Sequence, residues 1–208
     1  MGSDDLFWKR KKTYSKRKIG ARGTPKETFL IVCEGKCTEP NYFKSFRITS
    51  VNIKVEGLGC NTLSLVKRTI EYMEEAKKQD LHFDQVWSVF DRNSHPAQYF
   101  NNALGLAESN NIRIAYSNEA FELWYLLHFH YLDNAISRKA YISKLKVCLG
   151  HKYKKNSTTV YEELLDKQHI AIRNANNLLE KYGKNYNKER ANPSTTVHLL
   201  VKELNKHL

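Results

Sequence analysis

No pair of cysteines in this chain has the C-x-x-C spacing of a zinc knuckle or redox motif. Cys33, Cys37, Cys60 and Cys148 instead lie in or beside apolar segments. Reduced thiols are expected, not disulfides or a structural zinc. Also missing is any apolar run near the roughly 20 residues that a bilayer span needs, so no membrane span is expected. The opening stretch MGSDDLFWKRKKTYSKRKIG has basic residues with no apolar segment behind them, which argues against a secretory signal and leaves the cytoplasm as the default location. No G-x-x-x-x-G-K-[ST] loop occurs, so ATP chemistry would have to come from another protein. Internal repeats are absent as well.

What the chain does have is a globular composition and an uneven charge. With 208 residues, 41% hydrophobic and 27% charged, it is long enough for one good core and a small elaboration. The formal net charge is +12. Residues 1–22 carry eight Lys/Arg against two acids, 23–133 carry eleven against fourteen, and 134–190 carry thirteen against five. The basicity therefore sits towards both ends. A phosphate polymer attracts such segments through counterion release, whereas a small acidic substrate needs one or two cations in a pocket. Nucleic acid is the favoured partner. The competing explanation is solubility, or attraction to other acidic surfaces such as a membrane or a partner protein.

Hydrophobic periodicity divides the chain into a basic arm over 1–25, an α/β core over 26–133 and a basic helical elaboration over 134–208 that packs on the core. In the core, Thr28–Cys33, Asn52–Glu56, Gln85–Phe90 and Arg113–Tyr116 read as strands. Helices are expected over Glu39–Phe46, from a cap at Asn61 or Thr62, from Pro96 to about Asn110, and along the strongly apolar FELWYLLHFHYL. Alternation of this kind predicts a parallel sheet covered on both faces. Beyond Asp133 no strand is expected, only helices over Ser137–Cys148, Ser157–Tyr182 and Pro193–His207, with HKYKKN (151–156) as an exposed loop.

All strand C-termini of a parallel sheet share one edge, and ligands collect there. Strand one ends in Cys33-Glu34-Gly35-Lys36-Cys37-Thr38-Glu39, and strand three in Asp91-Arg92-Asn93-Ser94-His95. Two carboxylates thus converge, with Asn93 able to add a neutral oxygen. Oxygen donors of this kind suit Mg²⁺ or Mn²⁺.

The segments FLIVCEGKCTEPNYFKSF, VFDRNSH, SNEAFELWYLLHF and NPSTTVHLLVKEL, in that order, resemble the RloB family, whose core is similar to the Toprim domain. The resemblance spans residues 28–208 and leaves the basic arm outside. It implies a Toprim-like parallel sheet flanked by helices, with Glu34 as metal ligand or general acid/base and Asp91 and Asn93 as metal ligands. Toprim proteins usually carry Asp-x-Asp where this chain has Asp91-Arg92-Asn93, which lowers the charge of the set by one. The implied function is Mg²⁺- or Mn²⁺-dependent cleavage of DNA or RNA in an anti-phage system, with an ABC/AAA-type ATPase as partner. The alternative is a non-catalytic nucleic-acid-binding or regulatory subunit of such a system. A homo-oligomer stays open.

Each candidate has an ordinary explanation beside the functional one. Glu34 can pair with Lys36 or Arg92, and those two cations can equally clamp a phosphate. Asp91 can cap the helix starting at Pro96, and Asn93 is a common turn residue. Glu39, just before Pro40, is either a first-turn acid or a second metal ligand. His95 is an acid/base or phosphate contact, or an inert turn histidine. Glu122 is a lone carboxylate in an apolar helix and requires a metal, a catalytic partner or a hydrogen bond to a loop. In the exposed loop, Tyr153 with Lys152, Lys154 and Lys155 can meet nucleic acid by stacking and charge. His128 and His130, two apart, do not share a helix face and are not expected to share a metal.

Overall fold

A computed structural model describes residues 26–92 and 96–208. The basic arm and the candidates Asn93 and His95 lie outside the described residues. The segment TFLIVC forms β1 (Thr28–Cys33), apolar and buried from Phe29 to Cys33 because both of its faces are covered. Phe29, Ile31 and Cys33 enter one core cluster, and Leu30 and Val32 enter a second on the opposite face. β1 is flanked by β2 (Asn52–Gly57) and β3 (Gln85–Asp91), and β3 by β4 (Arg113–Asn118), all parallel. Trp87 and Val89 of β3 join the first cluster and Val86 and Phe90 the second, repeating the alternation.

Helices close both faces. α1 (Thr38–Lys44) packs Tyr42 and Phe43 into the first cluster. α2 (Thr62–Lys78) and α3 (Ala97–Ser109) cover the second with Leu65, Val66, Phe100 and Ala103. Asn61 caps α2 by accepting the Ser64 amide at 2.9 Å. The remaining helices, α4 (Glu122–Leu126), α5 (Arg138–Leu149), α6 (Val160–Leu164), α7 (Gln168–Tyr182) and α8 (Val197–Asn205), all pack on the first face, through residues such as Trp124, Tyr141, Leu164, Leu178 and Leu200. Each such fully buried large side chain contributes about 1.5–3 kcal/mol. None of the helices among the described residues is long and apolar enough to cross a membrane.

Three expectations need correction. A fifth strand, β5 (Ser194–Thr195), lies beyond Asp133 and pairs antiparallel with β4, Ser117 opposite Thr195. Two residues are too short to show strand periodicity, and hydroxyl bonds hold them: Ser117 Oγ and Thr195 Oγ1 lie 2.9 Å apart, and Thr195 Oγ1 donates to the Tyr116 carbonyl at 3.0 Å. The single helix expected over Ser157–Tyr182 is broken by a 3₁₀ turn at Leu165–Lys167 between α6 and α7. In FELWYLLHFHYL only α4 is regular helix. The buried chain continues in tight turns, in which the Phe129 amide donates to Leu126 O at 2.9 Å and His128 Nδ1 lies 2.9 Å from Trp124 O.

Candidate functional site

The strand order β2-β1-β3-β4-β5 reverses direction at β1, since the chain first steps out to β2 and then returns to the other side of β1 for β3. Loops leaving β1 and β3 diverge at such a point and open a crevice at the strand C-termini. Glu34 and Asp91 stand at that place. The Glu34 amide continues the ladder to Val89 O at 2.8 Å, and Glu34 Oε2 accepts the Asp91 amide at 3.1 Å. Glu34 Oε1 accepts the hydroxyl of Thr62 at 3.2 Å, so the N-terminus of α2 also faces this carboxylate.

Two further acids share the crevice, a cavity of about 310 Å³. Glu39, expected as a first-turn acid of α1, folds its buried side chain back over Gly35. A Cβ at Gly35 would meet Glu39 Oε2 and come within 2.9 Å of Oε1 and Cδ, so only glycine leaves room for this carboxylate. The Glu39 carboxyl is pushed up to about 7, first by burial and then by the charges of Glu122 and Glu34, against the opposing pull of the Glu39 and Gly35 amides. Glu122 opens α4 with 2% exposure and accepts the Tyr153 hydroxyl at 3.3 Å. Burial first, then Glu39, Glu122 and Glu34, hold the Asp91 carboxyl well above the usual range, while Arg138 pulls it down. Four carboxylates thus feel one another across a single crevice.

Cations meet them there. Arg138 Nη2 donates to Asp91 Oδ2 at 2.9 Å, and Lys155 Nζ stands 3.9 Å from Glu122 Oε1. Lys36 lines the same cavity and lays its alkyl chain against Gly59. Arg138 is the site residue that sequence reasoning missed. A signal was present: it opens α5 directly after the Ser137 cap, where the helix dipole disfavours a cation, so it needed an anionic partner.

Other candidates are placed differently. Arg92, expected beside a phosphate, donates to Glu189 Oε1 at 2.7 Å, with both side chains largely covered. Asp91 does not cap α3, whose N-cap is Pro96 with no side-chain hydrogen bond. Tyr153 was expected on an exposed loop as a stacking platform, but it is 6% exposed. Its ring packs at 6.0 Å from that of Tyr125 and its hydroxyl serves Glu122. The neighbouring Lys152, Lys154 and Lys155 are exposed as expected. His128 is a core residue, pushed down to about 4 by burial.

Hard oxygen donors, mutual repulsion and a buried Asp91 Oδ1 without a hydrogen-bond partner among the described residues fit a divalent cation. Three of the four acids have side-chain or amide partners, Arg138 for Asp91, Thr62 and the Asp91 amide for Glu34, Tyr153 for Glu122, and Glu39 is held by backbone amides. In this arrangement no group of three His, Cys, Asp or Glu among the described residues is gathered to hold a metal ion.

Fold and site together define an α/β protein with a mostly parallel five-stranded sheet and an acid-lined crevice at its switch point. Comparison with known families adds a match to the RloB-like protein family over residues 29–204. The chain belongs to that family. Neither the curated proteins nor the solved structures contain a match.

Proposed function

We propose that this protein is a metal-dependent nuclease of Toprim type, cutting phosphodiester bonds of DNA or RNA. The observation that carries the reading is the gathering of Glu34, Glu39, Asp91 and Glu122 in one cavity, with Arg138 and Lys155 against two of them. Glu34 and Asp91, with Glu122 beside them, would hold Mg²⁺ or Mn²⁺. Bound there, a divalent ion stabilises charge growing on a phosphate and eases deprotonation of water. The protein's own groups supply the rest. Glu39 exchanges its proton near neutrality, as a general acid or base requires. Arg138, partly exposed at the rim, can exchange Asp91 for a phosphate oxygen, and Lys36 and Lys155 add charge around it.

The Arg138–Asp91 ion pair favours a second reading, a regulatory nucleic-acid-binding subunit whose acids are held by internal cations. Either reading would set the protein in an anti-phage system beside an ATPase partner, a role we propose on the resemblance of its segments alone. The purified protein, alone and with such an ATPase, is incubated with plasmid, single-stranded DNA and tRNA in Mg²⁺ or Mn²⁺. Cleavage is expected from the wild type and is expected to vanish in Glu34→Gln and Asp91→Asn. Cleavage that survives both substitutions rejects the site. Salt-sensitive binding without cleavage under any condition selects the regulatory reading.

A further inference from the structure

Two cationic loops border the carboxylate edge from opposite faces of the sheet. The first, residues 151–157, lies on the face of α1 and α4. It is pinned where Thr38 Oγ1 donates to Lys155 O at 3.1 Å and Asn41 Nδ2 to Asn156 O at 3.2 Å. Lys152, Lys154 and Lys155 project from it, exposed. The second, residues 183–191, joins α7 to β5. Its Tyr186 packs in the core cluster of the opposite face and its hydroxyl lies 2.9 Å from that of Tyr116. Asn118, at the end of β4, donates to Glu189 O at 3.2 Å and to Ala191 O at 2.9 Å. Glu189, the loop's single acid, is engaged with Arg92, one residue after Asp91. Lys184, Lys188 and Arg190 are exposed, Arg190 with its Nε 3.9 Å from Glu189 Oε2, on a loop whose backbone is fastened to the acidic edge.

Acids at the centre with cations on both sides match a polyanion passing over the edge, not a terminus entering a closed pocket. We infer that the two loops form one phosphate-binding track across the crevice, so that a polynucleotide is gripped on both sides of the scissile bond and is cut internally. The track rests on the nuclease reading for its chemistry but not for its binding. Fixed loops favour it over a merely solvated charge run, because anchoring Tyr186 and Glu189 holds the three cations near the edge.

The test uses the full chain, labelled single-stranded oligonucleotides of increasing length, and fluorescence anisotropy over a salt series. Two charge-removal sets are compared, Lys152→Ala with Lys154→Ala, and Lys184→Ala with Lys188→Ala and Arg190→Ala. All five side chains are exposed, so thermal melting should match the wild type. Each phosphate contact contributes about 0.7 to the salt slope on single strands, so the first set should lower it by about 1.4 and the second by about 2, adding when combined. Affinity should rise with length until both loops are spanned, and circular single-stranded DNA should be cut as readily as linear. Lys184→Glu with Lys188→Glu should deepen the loss. An unchanged slope in the second set, resistance of the circle while the linear strand is cut, or tighter binding to anionic phospholipid vesicles than to oligonucleotide would overturn the track. Cleavage with binding that depends only on residues 152–155 rejects the track and keeps the nuclease. Two-loop binding without any cleavage keeps the track and rejects the nuclease.

Discussion

Replacing Glu39 by Gln should make the protein less sensitive to alkaline pH. The carboxyl ionises near 4.5 in the unfolded chain and at about 7 in the folded one, raised first by burial and then by Glu122 and Glu34. Between those values the folded state keeps a proton that the unfolded state has lost. Unfolding therefore releases a proton, and stability falls as pH rises from 4.5, reaching a lower plateau above 7. The gap corresponds to about 3 kcal/mol at 1.36 kcal/mol per pH unit. For a chain of this length that is roughly 6–12 °C in melting temperature. Burial first and Glu39 next also raise the Asp91 carboxyl, so removing the Glu39 charge relieves Asp91 in the same direction. His128 and His198, pushed down to about 4 by burial, destabilise both proteins at acid pH and cancel in the difference. Urea unfolding followed by circular dichroism at pH 5 and pH 8 measures it. Relative to wild type, Glu39→Gln should gain about 2.5 kcal/mol between the two conditions, slightly less than the full gap because part of the change lies below pH 5. Added Mg²⁺ at pH 8 should restore the wild type more than the variant. Parallel stability curves for the two proteins would refute the placement of Glu39 as a buried, charge-crowded acid.

Gly35→Ala should leave the fold in place by circular dichroism but push Glu39 out of the crevice, since the new Cβ collides with its carboxylate. The expected readouts are loss of cleavage and of the pH-dependent stability difference, and a variant that keeps both would contradict the contact. Tyr153→Phe removes one hydroxyl from buried Glu122 and should cost about 1–3 kcal/mol. Tyr153→Ala also empties a core position and should cost about 3–5 kcal/mol in urea unfolding, whereas small, equal losses would mean an exposed ring.

Much of the fold was readable because parallel strands covered on both faces write themselves as apolar runs. TFLIVC and QVWSVFD admit few other readings, and they put Glu34 and Asp91 on the same edge. β5 was hidden because two hydroxyl-bearing residues carry no periodicity and draw their stability from Ser117 and Tyr116, about 80 positions earlier. Tyr153 was misplaced because KYKK reads as a polar loop, while its ring is taken into the core by Tyr125 and its hydroxyl by Glu122. Glu39 looked like a helix-start acid because nothing local shows that Gly35 clears space for it. Arg138 required a contact 47 residues away that no local pattern encodes.

The short pairing of β4 with β5 also sets an order of assembly. The first four strands can associate as soon as residue 118 is available, but Tyr116 and Ser117 find their hydroxyl partners only when Ser194, Thr195 and α8 return across the intervening helices. Closing so distant a contact is slow compared with local folding. Arg138 and Lys155, the cations that meet Asp91 and Glu122, also follow residue 118 in the chain. The crowded acids at the edge of the early sheet are therefore balanced in the finished fold largely by side chains that come later in the sequence.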